Sequence, residues 1–151
     1  MSLDISTKDK LLARCIELKQ ESEANTLAAM DDAQQSANEY GAPRDRYDSF
    51  RAQMMRKRDM LAQQLSVVGE ELRFLMQMKK GLVSTKVEPG ALVILDNQIL
   101  YILAGIGKLE IDNEVIYVVS PVVPLVTAMK NLKKGESFSF RGITMTIKDI
   151  I

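Results

Sequence analysis

The feature that most restricts this chain is a run of residues spaced alternately three and four apart. Positions 47, 54, 61, 68 and 75 read Tyr, Met, Leu, Val and Leu, and positions 51, 58, 65 and 72 read Arg, Arg, Leu and Leu. This is a heptad seam, apolar at seven of its nine places, and it keeps one stripe of a helix against another helix. A helix over residues 44–80 would be roughly 55 Å long at 1.5 Å per residue. That is longer than a core helix needs to be, so a partner is required.

The partner lies immediately upstream. Residues 6–39 are rich in Ala, Gln, Glu and Lys, which favour helix, and carry a weaker seam of Leu12, Ile16, Leu27 and Met30 with Ala24, Ala33 and Ala37 between. The two stretches meet at Gly41-Ala42-Pro43, a strong local breaker. Residues 4–39 hold eight acids against four bases, and residues 44–80 hold nine bases against five acids. An antiparallel hairpin sets these opposite charges side by side, each exposed pair contributing about 0.2–1 kcal/mol.

After Gly81 the text changes to Val, Ile, Leu and Tyr clusters punctuated by Gly, Pro and Asn. Strands are predicted over 91–95, 99–103, 108–111, 115–119, 137–140 and 143–150, with one short helix over 124–132. Asp112-Asn113 between two β-prone runs marks a hairpin turn. The expected class is therefore α+β, an N-terminal antiparallel coiled-coil hairpin over 1–82 with its tip near 40–48, then a small β-rich domain over 83–151. So small a core would depend on one helix packed well against its sheet.

Composition excludes several functions. Twenty bases balance twenty acids, whereas a general polyanion binder carries a basic surplus. Histidine is absent, which removes His-based acid–base chemistry, Ser-His and Cys-His nucleophiles and most zinc sites. The lone Cys15 sits among Leu11, Leu12 and Leu18 and reads as a small buried hydrophobe in a reducing compartment. No apolar run spans a membrane and the N-terminus lacks a signal-peptide core, so a cytoplasmic protein is expected.

Two segments carry a family likeness. IYVVSPVVPLVTAMKNLKKGESFSFRGITMTIKDI, residues 116–150, resembles the closing part of the GreA/GreB transcript-cleavage factors. It matches in order Ser120-Pro121, a short helix, the turn Lys133-Lys134-Gly135-Glu136 and two final strands. EYGAPRDRYDSFRAQ, residues 39–53, resembles that family's acidic hairpin tip. The resemblance implies a coiled-coil hairpin on an FKBP-like domain that binds RNA polymerase at its secondary channel. It also implies indirect contact with nascent RNA, a bacterial cytoplasmic setting and a monomer.

In that family the tip acids approach the catalytic magnesium of the polymerase, where two ions clamp an in-line phosphodiester displacement. The resemblance places Asp45 and Asp48 in this role, with Glu39, two residues before Gly41, as a substitute by geometry, and with no cofactor, no stably bound metal and no catalytic residue of the chain's own. Asp45 and Asp48 stand three apart and share a helical face. Asp45 is equally a helix-start charge favoured by the dipole. Ala42 stands where the first family acid would be, which leaves cleavage stimulation, pausing or inhibition open. Ser120, Pro121 and Leu125 become the polymerase-docking candidates.

Tyr40 and Tyr47 flank the turn as a hydrophobic clasp or a stacking pair. Arg51, Arg56, Lys57 and Arg58 form a basic face that pairs with the first arm or meets an acidic partner. One rival reading is an FKBP-like prolyl isomerase or chaperone with a helical arm, drawing on Tyr101, Tyr117, Phe138 and Phe140. Another is a plain coiled-coil scaffold.

Overall fold

The computed structural model describes residues 3–39 and 45–151, with residues 45–48 described by their backbone alone. Two long helices, α1 (Ile5–Asn38) and α2 (Asp45–Gln77), precede four strands, β1 (Leu92–Leu95), β2 (Ile99–Ile102), β3 (Gly107–Ile111) and β4 (Glu114–Val119). A short helix α3 (Pro124–Met129) follows, and β5 (Ser137–Phe140) and β6 (Ile143–Ile150) close the fold. A helical pair followed by a sheet with one short helix is the α+β architecture expected from the sequence.

The chain packs as two compact units, Ile16–Met76 and a second made of Met1–Cys15 with Gln77–Ile151. This differs from a sequential cut at residue 82, because the first turns of α1 group with the strands. The reason lies in side chains around Lys8, which is 3% exposed. Its ammonium donates to the carbonyls of Leu82 and Ile151, at 2.8 Å each. Upstream, the Asp4 carboxylate caps α1 by accepting from the Thr7 amide at 3.0 Å. Downstream, the Asp9 carboxylate accepts from the Gly81 amide at 3.1 Å.

The sheet runs β3-β4-β2-β1-β6-β5, with β2 parallel to β4 and every other neighbour antiparallel. Strand alternation divides its side chains between two faces. Val93, Leu95, Leu100, Ile102 and Ile147 join Val126 and Met129 of α3 in one buried cluster. On the opposite face Leu92, Tyr101, Ile116 and Val118 are buried as well, and Leu12 shares a small cavity with Tyr101. Phe138 and Phe140 pack on the core while Ser137 and Ser139 are exposed, as their alternation predicts.

Two-residue turns fix the register. Asp112 and Asn113 both take positive φ, 50° and 65°, the geometry of the tight turn that matches strand twist. Gly90 is held at φ 92°, and a Cβ there would stand 3.1 Å from the terminal methyl of Met78. The methyl is the end of a flexible side chain and can shift, so it is the positive φ that favours glycine here.

In the helical unit, low-numbered residues of α1 meet high-numbered residues of α2, the mark of an antiparallel pair. Lys19 meets Glu71 at 3.2 Å, and the Arg58 guanidinium donates to Gln34. The α2 seam is as read: 51, 54, 58, 61, 65 and 68 are half-buried and Leu72 and Leu75 buried. The α1 seam is not. Ala24 is exposed and Leu27 is 44% exposed, while Lys19, Ser22 and Thr26 sit half-buried on the inner stripe between Cys15 and Ala33. The Thr26 hydroxyl donates back to the Ser22 carbonyl at 2.8 Å, which satisfies it inside the helix. The Lys19–Glu71 ion pair also reverses the expected polarity, with the base on α1 and the acid on α2.

Ile147 is fully buried at the centre of the sheet cluster. Ile147→Ala is expected to cost about 2–5 kcal/mol. Urea unfolding of the whole chain checks this, and a loss below about 1 kcal/mol would place the critical packing elsewhere.

Candidate functional site

The sequence places function at two points, the turn between the long helices and the connection from β4 to α3. At the first, α1 ends at Asn38, and Glu39 follows as an exposed turn residue whose amide donates to the Gln35 carbonyl at 3.0 Å. Tyr40, Gly41, Ala42, Pro43 and Arg44 lie outside the described residues. Asp45 opens α2 and Asp48 follows three positions on, which sets them on one side of its first turn. The side chains of Asp45, Tyr47 and Asp48 also lie outside the described set. Among the described residues no group of three or more Asp, Glu or Cys comes together to hold a metal ion.

The second point is defined atom by atom. β4 ends at Val119, and the Ser120 hydroxyl accepts from the Val122 amide at 3.3 Å. Val123 is extended (φ −68°, ψ 150°) and Pro124 occupies the first turn of α3, where its missing N–H costs nothing. The Val123 carbonyl then accepts from the Thr127 amide at 3.1 Å. Two prolines three residues apart thus hold a stiff connection. Val123 and Leu125 turn inward and pack against the core cluster, while Ser120 and Pro121 are half-buried.

Val122 points the other way and is 82% exposed. The sequence reading passed over it. An apolar residue between two prolines, next to one that packs inward, was the available signal. A stiff loop that holds a bare valine in water gives a partner an apolar contact at little entropic cost.

Of the basic residues on α2, Arg58 is engaged with Asp59 at 2.7 Å and with Gln34, while Arg56 and Lys57 are exposed. No described helix is long and apolar enough to cross a membrane.

The aromatic rings do not form a prolyl pocket. Tyr101 is 2% exposed, Phe138 and Phe140 face the core, and Tyr117 stands 38% exposed on β4. An isomerase of this class needs such rings around one open cavity, so that rival is not favoured.

No protein-family model matches the chain, and no curated protein matches it. Among solved structures it is similar to the GreA factor homolog 1 (Gfh1) protein of Thermus thermophilus. The identity is 12%, with 94% of this chain and 93% of that chain covered and a TM-score of 0.34.

Burial raises the Tyr101 phenol above its ordinary value, with the charges of Cys15 and Asp9 acting in the same direction. Burial also lowers Lys8 below an ordinary lysine, against the opposing pull of Asp9 and Glu88. Above about pH 10 an unfolded tyrosine loses its proton, while folded Tyr101 keeps it. The unfolded state then binds fewer protons, so this contribution to stability falls as pH rises. Lys8 has the opposite sign, its contribution rising with pH until about 10.4, where an unfolded lysine titrates. Tyr101→Phe is expected to flatten the loss of stability between about pH 10 and 11.5. Urea midpoints across that range measure it, and an unchanged fall would remove Tyr101 from the alkaline response.

Proposed function

We propose that this chain is a Gre-like transcription elongation factor, a regulator of RNA polymerase with no catalytic site of its own. One observation carries the reading. Two antiparallel helices of 34 and 33 residues follow each other in the chain, with the acids Glu39, Asp45 and Asp48 at the ends that succeed one another. The same chain then continues through Ser120-Pro121, a six-residue helix, a Gly135 turn and a closing β5–β6 hairpin. That is the order of parts in which the sequence resembles the GreA/GreB family.

Under this reading the β4–α3 loop docks on the rim of the secondary channel through Ser120 and Pro121, with Val122 as the exposed anchor, while Leu125 packs on the core and holds the loop in place. The hairpin enters the channel and offers Asp45, Asp48 and Glu39 near the polymerase magnesium. A hard cation takes oxygen ligands, and the chain's share of the chemistry is one carboxylate that helps hold it. Ala42 has no oxygen to give, so Asp45 becomes the principal tip acid. The output is modulation of elongation, pausing or transcript cleavage. No cofactor of the chain's own is needed.

Backtracked elongation complexes of the cognate polymerase test this, scored for protein binding and for RNA shortening. Wild type is expected to bind, and Val122→Asp to bind roughly tenfold more weakly, as loss of a central anchor does. Shortening, where present, is expected to drop about tenfold or more in Asp45→Ala. Binding without shortening would mark a channel-occupying modulator. Absence of binding by the wild type would sink the polymerase reading.

A further inference from the structure

β3 forms one edge of the sheet, and among the described residues no strand or bridge pairs with its outer side. The backbone decides which groups that edge offers. Asp112 and Asn113 close the β3–β4 hairpin with two positive φ values, a turn in which Ile111 and Glu114 form a hydrogen-bonded pair. Hydrogen-bonded and non-bonded pairs alternate along an antiparallel ladder. Ile111, Leu109 and Gly107 therefore direct their N–H and C=O groups at β4, while Lys108 and Glu110 direct theirs outward.

The same alternation sorts the side chains. Lys108 and Glu110 stand opposite Tyr117 and Val115 of β4, so all four share one face, where Tyr117 and Val115 are 38% and 37% exposed. Leu109 stands opposite buried Ile116 on the other face, with Gly107 and Ile111 to either side. Lys108 and Glu110 are both exposed, and the ion pairs among the described residues engage neither. Charges on an edge strand ordinarily keep other strands away. A lysine and a glutamate two residues apart are different, because in antiparallel pairing such a strand complements itself.

We infer that this edge is a self-association site, and that its occupant is β3 of a second copy, paired antiparallel about Leu109. A two-fold axis normal to the sheet keeps each face on its own side, so one residue of β3 must face its own counterpart. Centring on Lys108 or on Glu110 sets like charges directly opposite, which is destabilising. Centring on Leu109 sets Lys108 against the partner's Glu110, and Glu110 against the partner's Lys108. Those are the residues whose backbone groups point outward, so both contacts are also hydrogen-bonded pairs. On the other face Leu109 meets its counterpart in a non-bonded pair, with Cα atoms about 4.5 Å apart. Ile111 there faces the partner's Gly107, which leaves room for it. The two six-stranded sheets join into one. On its exposed face each row runs from Tyr117 through Lys108 and the partner's Glu110 to the partner's Val115. The opposite edge strand, β5, reads Ser-Phe-Ser-Phe and has no charge to select a register. With five residues in β3 the contact is short for a permanent dimer, so association depends on concentration. It is independent of the polymerase reading.

Analytical ultracentrifugation of the full chain, from low-micromolar to near-millimolar and without polymerase, tests the edge. Wild type is expected to move from one to two chain masses. Hydrogen exchange at the Lys108 and Glu110 amides should slow as it does, while that of Leu109, already bonded to β4, changes little. Lys108→Glu and Glu110→Lys each set like charges opposite at both contacts and are expected to weaken association about tenfold or more. Both positions are exposed, so circular dichroism should be unchanged. The double variant carrying both exchanges swaps the signs, restores opposite charges and is expected to associate as wild type does. An equimolar mixture of the two single variants should return a mixed dimer for the same reason. A wild type that remains monomeric throughout would overturn the proposal. So would a dimer that leaves both amides unprotected or is indifferent to the single exchanges. Losses that neither the double variant nor mixing repairs would overturn the register centred on Leu109.

Discussion

A sheet whose two faces are both apolar must be covered on both, and here neither cover is large. One face carries Val93, Leu100, Ile102 and Ile147 and is closed by α3, a helix of six residues. The other carries Leu92, Tyr101, Ile116 and Val118, each no more than 2% exposed. Tyr101 shares a small cavity with Lys8, Asp9 and Leu12, so the first turns of α1 belong with the sheet. Lys8 makes that arrangement specific. A buried ammonium is costly unless its donors are satisfied, and here two carbonyls from distant parts of the chain accept from it. An apolar residue could cover the same surface but could not select those two carbonyls. The position of the β4–α3 loop follows, since α3 is held by the cluster that this sheet builds.

A different constraint shapes the helical unit. Its α2 carries the burial through Leu61, Leu65, Val68, Leu72 and Leu75, whereas the middle of α1 offers Lys19, Ser22 and Thr26. Burying small and polar side chains against leucines yields less than an all-leucine seam, at about 25 cal/mol for each Å² of apolar surface. The helices are still held in register, because Lys19 pairs with Glu71 and Gln34 with Arg58 near opposite ends of the described pair. The consequence is a pair that is registered by polar contacts and left open along one side. The exposure of Met60 and Val67 is therefore a product of what α1 lacks.

This division also explains how much could be read from the chain in advance. The strands were legible almost to the residue, because β-branched clusters alternate and turn residues such as Asp112-Asn113 sit where both φ values must be positive. Both long helices were legible from composition, and the α2 seam from its spacing. The middle of the α1 seam was not, since a periodicity search weights apolar residues and the inner stripe there contains Lys19, Ser22 and Thr26. Leu27 attracted that search and is exposed instead. The part of α1 that covers the sheet was hidden in the same way, because Lys8 reads as a surface charge. Val122 was missed because a valine beside prolines looks like the start of a buried element. The charge argument agrees with the antiparallel pairing, while the cross-helix ion pair Lys19–Glu71 runs opposite to the net charges of the two arms.

The two parts of the proposed activity answer to different physics. Docking depends on a loop whose shape is fixed by Pro121, Pro124 and the inward packing of Val123 and Leu125, so any change that preserves the core preserves the anchor. Tip chemistry depends on the presence of an oxygen at a given position, and nothing in the fold requires one. An acid at the first position of a helix is favoured by the dipole whether or not a metal approaches. A chain can therefore keep its grip on a partner while its tip loses ligands one at a time. Under the proposed reading, that asymmetry is the shortest physical route from a factor that assists cleavage to one that occupies the channel.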